Sequence, residues 1–301
     1  MQTPADGMRC KAESRPIDGM LLIDKPAGIT SHDVVSEARR ALRTRRIGHA
    51  GTLDPFATGL LVLLVGHATR LLPHLDGEPK VYDATIVFGS ETDTDDLTGN
   101  VVRTAEFPDR ARVREAIVSL TGSIDQVPPA YSAKQVDGQR AYAAARQGVA
   151  LALDAVRVHV HGWELRELAV DYLRATITCG DGTYIRALAR DLGRLSGSAA
   201  HLGALRRVRS GSFDVAGAIT LETLRAGETS LRPALDALPH LQAISLSDDD
   251  VSHVRQGRLV AAAGEATPSS MAALVDGSGR LVAVAERAAD AWQPRVVLPD
   301  V

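Results

Sequence analysis

Apolar positions along the chain follow two periods, one of strands and one of helices, and the two alternate without a fixed order. Met20–Ile23 is a short apolar run that ends in Asp24-Lys25-Pro26-Ala27-Gly28, a turn by its proline and glycine. Ser31 then offers an N-cap, and Val34, Val35, Ala38, Ala41 and Leu42 recur at helical spacing with arginines on the other side. Leu60–Val65 is an unbroken apolar run of strand length. Ala68–Leu75 fits a short helix and Val81–Phe88 a strand. Arg110–Leu120 carries Val113, Ala116, Ile117 and Leu120 on one stripe. Val156–Leu165 and Leu173–Cys179 read as paired strands. Tyr184–Leu195 reads as a helix with Leu188, Leu192 and Leu195 inside and Gly197 as its stop. This irregular mixture predicts an α+β fold, a mixed central sheet flanked by helices.

The pattern changes near residue 240. From Ala243 the elements shorten: a helix from Ser247, a strand over Arg258–Ala262, and a hairpin that turns at Asp276-Gly277-Ser278-Gly279. Val296–Leu298 closes a small β unit. The expected organisation is a flexible tail over 1–18, a main domain over 19–240 and a β-rich module over 244–301. A length of 301 residues accommodates one large domain and a small one. Cys10 and Cys179 lie far apart, which fits a reducing cytoplasm and argues against a disulfide scaffold or a cysteine-based zinc site. The polar N-terminus lacks the apolar core of a signal peptide, and no segment is long enough to span a bilayer.

A net charge of −3 does not announce a nucleic-acid binder. The distribution says more. Arg39, Arg40, Arg43, Arg45 and Arg46 form one cluster, Arg186, Arg190 and Arg194 a second, and Arg206, Arg207 and Arg209 a third. Such segregation builds a local basic face on a globally acidic protein. The acidic run Glu91-Thr92-Asp93-Thr94-Asp95-Asp96 fails the EF-hand pattern and reads as a solvated turn. His159 and His161 share a strand face without a third metal ligand. No nucleophile elbow, Walker loop or dinucleotide fingerprint is present. An enzyme with no metal and no cofactor is the consistent expectation.

The chemistry concentrates in Gly48-His49-Ala50-Gly51-Thr52-Leu53-Asp54-Pro55-Phe56-Ala57-Thr58-Gly59. Pro55 holds Asp54 out of helical geometry, and the glycines allow close approach of a ligand. A carboxylate on a rigid loop before a buried strand is one way to present a nucleophile. The string Gly-His-x-Gly-x-Leu-Asp-Pro-x-Ala-x-Gly resembles the catalytic loop of the TruB family of bacterial tRNA pseudouridine synthases. Asp24-Lys25-Pro26, Lys80-Val81-Tyr82, Gly182-Thr183-Tyr184-Ile185-Arg186 and Leu205-Arg206-Arg207 follow in the family's order, spanning residues 20 to about 210.

The resemblance implies a pseudouridine synthase fold with a PUA-like module at the C-terminus. It implies isomerisation of uridine-55 in the T-loop of tRNA. Asp54, Tyr82 and Arg186 are then catalytic, with Tyr82 stacking on uracil and Arg186 pairing with Asp54. His49 fills the space vacated by the flipped base, Lys25 lies near the floor, and Tyr184 and Leu205 line the pocket. Arg39, Arg43, Arg46, Lys134, Arg140, Arg206 and Arg207 are the expected RNA contacts. Lys134 and Arg140 fall in a thumb-like insertion over about 125–152. The expected partner is the tRNA T-arm, with no membrane, no obligatory protein partner, and a cytoplasmic monomer. Three rivals stay open: a guide-RNA-dependent synthase subunit, an RNA-folding protein without turnover, and a glycoside hydrolase. The last needs a second pocket carboxylate that no motif supplies.

Overall fold

The computed structural model describes residues 17–131, 135–136, 139–140, 153–228, 230–262 and 270–300. The tail expected over 1–18 and the insertion expected over 125–152 therefore lie mostly outside the described residues, as do Cys10, Lys134 and the side chain of Arg140.

In chain order the elements are β1 (Gly19–Lys25), α1 (Ser31–Ala41), β2 (Ile47–Ala50), β3 (Thr58–Val65), β4 (Lys80–Phe88), β5 (Ser90–Thr92) and β6 (Val101–Thr104). Then come α2 (Arg110–Ser119), β7 (Gly122–Gln126), the short pair β8 (Gln135–Val136) and β9 (Gln139–Arg140), β10 (Val156–Leu168) and β11 (Tyr172–Cys179). These lead to α3 (Ile185–Leu195), β12 (Ala200–Ser210), β13 (Phe213–Asp214) and α4 (Leu221–Ala226). The C-terminal unit holds β14 (Gln242–Ser245), α5 (Asp248–Arg255), β15 (Val260–Ala261), β16 (Met271–Val275), β17 (Leu281–Ala288) and β18 (Ala291–Val297).

Nine strands form the main sheet, in the order β1-β3-β12-β4-β11-β10-β7, with β2 on β3 and β13 on β12. Every pairing is antiparallel except β3 with β12. The continuous apolar run of β3 has a physical reason: both of its faces are buried. Leu61, Leu63 and Val65 pack with Val34, Val35 and Ala38 of α1. Leu60, Val62 and Leu64 face a second core that includes Val284, Val296 and Leu298 of the C-terminal unit. The alternation of β4 sends Tyr82, Ala84, Ile86 and Phe88 into a core shared with Leu188 and Leu192 of α3 and Val113 of α2. The C-terminal unit is a five-stranded sheet, β14-β16-β17-β18-β15, capped by α5, whose N-cap is Ser247 as its position predicts.

The structure corrects several local expectations. Thr30, not Ser31, caps α1, in a reciprocal capping box with Asp33. The segment after β3 is a 3-10 helix over Gly66–His74 and not an α-helix, with Pro73 inside it. Leu195, expected inside its helix, is 56% exposed because it lies at the last turn of α3, beyond the sheet it packs on. Arg206 and Arg207 belong to β12, a central strand.

Candidate active site

The loop between β2 and β3 is held from beneath by buried polar groups. The Ser31 hydroxyl is almost fully buried; it accepts from the Leu53 amide at 2.9 Å and donates to the Leu53 carbonyl at 3.1 Å. Leu53 is itself buried, so both of its backbone groups depend on this one oxygen. Lys25 is wholly buried, and its Nζ donates to the carbonyls of Pro26, Ile29 and Pro55 at 2.9, 2.7 and 3.3 Å. Burial pushes the Lys25 ammonium down to about 8, while Asp54 and Asp33 oppose the shift, so it stays charged at neutral pH. The Pro55 carbonyl also accepts from the Gly28 amide at 2.8 Å. Asp54 thus stands between two anchored neighbours, and its side chain is free to face the sheet.

That side chain meets Arg186 in a two-pronged pair, Nε to Oδ2 at 2.9 Å and Nη2 to Oδ1 at 3.1 Å. Fork geometry of this kind fixes the carboxylate plane as well as its position. Arg186 is buried, and its remaining donors are committed: Nη1 to the Thr94 carbonyl at 3.0 Å and Nη2 to the Tyr131 carbonyl at 2.9 Å. Asp96 adds a second carboxylate, 3.7 Å from Nη1. Burial pushes the Asp54 carboxyl up, Arg186 pulls it down, and Asp96 pushes it up again, leaving it above the ordinary aspartate range.

The acidic run expected as a solvated turn is therefore a correction. It supplies the buried partners of α3, whose arginines at four-residue spacing each meet one of its carboxylates. Arg186 faces Asp96, Arg190 pairs with Asp95 at 2.8 Å, and Arg194 pairs with Glu91. Asp95 lies so deep that its carboxyl is pushed up to about 6 even beside Arg190. Glu91 is also pushed up by burial, but its bonds to Arg194 and Arg103 win and hold it below the ordinary range.

A cavity of about 290 Å³ opens above this pair, lined by Asp54, Arg186, Tyr82, Tyr184, Leu205, Lys80 and Arg207 among others. Tyr82 sits at the sheet's centre, with Ile177 of β11 on one side and Arg207 of β12 on the other. Burial pushes its phenol up, against the pull of Arg207, so it is protonated at neutral pH. Tyr184 is placed by Gln126, which accepts from the Tyr184 amide at 2.9 Å and donates to its carbonyl at 3.2 Å. Leu205 is a buried wall residue. The structure therefore brings Asp54, Tyr82, Arg186, Tyr184 and Leu205 to one cavity and places Lys25 beneath its loop. His49 lies on β2, outside the cavity lining. Burial and the nearby Arg207 lower its pKa, and its Nδ1 is buried without a hydrogen-bond partner.

The basic residues divide. Arg43 and Arg46 are exposed in the connection between α1 and β2, and Arg46 donates to the Thr69 hydroxyl at 3.0 Å. Arg39 is half-buried and donates to the Ile47 carbonyl. Arg206 pairs with Asp24 through two bonds, at 2.9 and 2.7 Å. Arg207 departs from its expected place on an RNA-contacting surface. It is 1% exposed, and it donates to the Leu60 carbonyl at 2.8 Å and the Gly51 carbonyl at 3.0 Å, so it builds the cavity floor. Ser31, Gln126, Lys80 and the 94–96 turn are site components that the sequence reading missed. Among the described residues no cluster of three metal-ligating side chains occurs.

Comparison with known proteins adds the family context. Residues 39–185 match the model of the TruB family pseudouridylate synthase N-terminal domain, and residues 186–239 match the tRNA pseudouridylate synthase B C-terminal domain. The chain is 44% identical over 291 residues to tRNA pseudouridine synthase B of Thermobifida fusca, covering 93% of this chain and 98% of that protein. It is 39% identical over 290 residues to the protein of the same name from Geobacter sulfurreducens, covering 92% and 95%. Two solved structures share the fold. An H/ACA RNP bound to a substrate RNA containing 2'-deoxyuridine superposes with TM-score 0.69 at 22% identity, covering 93% of this chain and 85% of that one. The archaeal box H/ACA sRNP Nop10-Cbf5 complex gives TM-score 0.70 at 23% identity, covering 93% and 86%.

Proposed function

From the chain's membership of the TruB family of pseudouridylate synthases, we propose that it isomerises uridine-55 in the T-loop of tRNA, acting alone in the cytoplasm without a metal or cofactor. The observation that carries the reading is the two-pronged Asp54–Arg186 pair at the base of a cavity walled by Tyr82 and Leu205.

The chemistry asks for little more. The target base leaves its stack at a cost of a few kcal/mol and enters the cavity. Asp54, kept ionised by Arg186, acts on the nucleoside as the bond between ribose C1′ and uracil N1 breaks. The base turns and C5 bonds to C1′. The C5 hydrogen leaves as a proton and N1 regains one, so nothing is consumed. Tyr82 supports the ring by stacking, and its neighbour Arg207 keeps the phenol oriented. His49, neutral at physiological pH, occupies the place the base vacates. Exposed Arg43 and Arg46, together with Arg39, hold backbone phosphates away from the cavity.

The residues over 244–301 form the proposed PUA-like RNA-binding module, and those over about 125–152 the RNA-gripping insertion. The acidic turn under α3 favours a working enzyme over a binding protein, since Asp96 and the Thr94 carbonyl hold Arg186 against Asp54 and the neighbouring Arg190–Asp95 pair is buried, an arrangement that serves the arginine's geometry more directly than RNA affinity.

The test is carbodiimide mapping of pseudouridine in unmodified tRNA transcripts after incubation with the purified protein alone. A single stop at position 55, lost when U55 is replaced by cytidine, is expected. Modification elsewhere, or none without a guide RNA, contradicts the reading.

A further inference from the structure

Of the three cations that line the cavity, two are fully committed. Arg207 is tied to backbone carbonyls of the sheet and the catalytic loop, and Arg186 to Asp54, Thr94 and Tyr131. Lys80 differs. It opens β4 two residues before Tyr82, paired in register with Cys179. Its stem is packed into the wall, with 13% of the side chain exposed, and its Cε occupies the space that a side chain at Gly51 of the catalytic loop would meet. Its ion partner is Asp181, 59% exposed on the segment that leads into α3. A nearly buried cation is therefore neutralised by a carboxylate at the cavity's mouth. The Asp181 backbone is held by Glu78, whose Oε1 accepts from its amide at 2.7 Å, while the side chain stands in solvent. Burial, reinforced by Arg207, pulls the Lys80 pKa down, so the ammonium calls for an anionic partner.

We propose that Lys80 is a phosphate-binding residue, and that Asp181 holds its place until a phosphodiester flanking the target nucleotide displaces it. The inference rests on the reading of this cavity as the uridine site. A nucleotide whose ribose lies over Asp54 carries a phosphate on each side, and its base fills the space toward Tyr82. The ammonium at the mouth is a compact point charge suited to such an oxygen. The exchange costs little because the outgoing carboxylate, already 59% exposed, returns to water while the incoming phosphate keeps the ammonium paired. The anchor acts only once the nucleotide is flipped, since a stacked nucleotide keeps its phosphates outside.

The test uses full-length protein and a T-arm stem-loop RNA. One RNA carries normal linkages, one a neutral methylphosphonate 5′ to the target uridine, and one the same group 3′ to it. Binding is measured on the Asp54→Asn background, and turnover on the otherwise unchanged protein. One of the two substituted RNAs should bind roughly tenfold more weakly, the ordinary effect of losing one charge-assisted contact. Lys80→Met should lose a similar factor on the normal RNA, show a salt slope reduced by about one, and lose nothing further on the sensitive RNA. Lys80→Arg should recover most of the affinity, and Asp181→Asn should bind roughly two- to fivefold more tightly.

The RNA substitutions leave the protein intact, so a Lys80→Met chain that fails to fold does not remove the test. Equal binding of all three RNAs to the Asp54→Asn protein with Lys80 intact overturns the proposal, as do independent losses that simply add. Absence of turnover on the normal RNA overturns the synthase reading instead.

Discussion

Replacing Ser31 with alanine removes one oxygen and orphans two backbone groups. The hydroxyl is the partner of both the Leu53 amide and the Leu53 carbonyl, at 2.9 and 3.1 Å, in a site closed to water. An unsatisfied buried donor costs about 1–3 kcal/mol, and the carbonyl adds to it. For a domain of this size each kcal/mol lowers Tm by roughly 2–4 °C, so a fall of about 4–8 °C is expected. The second effect is catalytic. Leu53 precedes Asp54, and a loop free to shift by about 1 Å misplaces the carboxylate enough to lower the rate roughly a hundredfold. RNA affinity should change less than about twofold, because Ser31 lies beneath the loop and faces away from the cavity. Thermal melting, single-turnover pseudouridine formation and RNA binding measure the three quantities. A variant with unchanged Tm and unchanged single-turnover rate refutes the claim that this hydroxyl holds the loop. A lowered Tm with an unchanged rate confines Ser31 to stability.

The remaining predictions concern the pair and the sheet. Arg186→Met removes the charge that opposes the burial of Asp54 and Asp96. The Asp54 carboxyl should rise further, and because the reaction uses the carboxylate, activity should fall away at a higher pH than in the parent. Single-turnover rates across pH 5–9 check this, and an acid limb that does not move refutes it. Gly59 has φ of +102°, and a Cβ there would lie 2.3 Å from the Arg207 carbonyl oxygen. Gly59→Ala should therefore cost about 3–5 kcal/mol through strain and overlap where β3 meets β12. A melting temperature within about 2 °C of the parent contradicts that reading.

Periodicity located the elements whose neighbours are uniform. The unbroken run of β3 is legible because both of its faces meet apolar cores; the stripe of α3 holds for Leu188 and Leu192 and fails at Leu195, which stands 56% exposed at the helix end. The catalytic loop is legible because Asp-Pro and its glycines restrict the backbone locally. The partners of charged residues are not legible in this way. The acidic run at 91–96 is as polar as any solvated turn, and only the arrival of α3 from about ninety residues away buries it. Arg207 sits buried in a central strand because the Leu60 and Gly51 carbonyls accept from its guanidinium, a long-range fact no local pattern encodes. Bulges between Leu202 and Ala204 and between Arg207 and Arg209 break the alternation of β12, which hides the strand. Ser31 reads in sequence as the N-cap alone. Thr30, with Asp33 three residues on, takes the capping role and leaves Ser31 for the loop.

Tritium release from unmodified tRNA labelled at uracil C5 tests the central claim most directly, with the parent protein and Asp54→Asn compared and no metal, nucleotide or guide RNA added. The account predicts release by the parent alone, while Asp54→Asn binds the tRNA with similar affinity and releases none. Near-normal release by Asp54→Asn, or none by the parent while tRNA is bound, contradicts it.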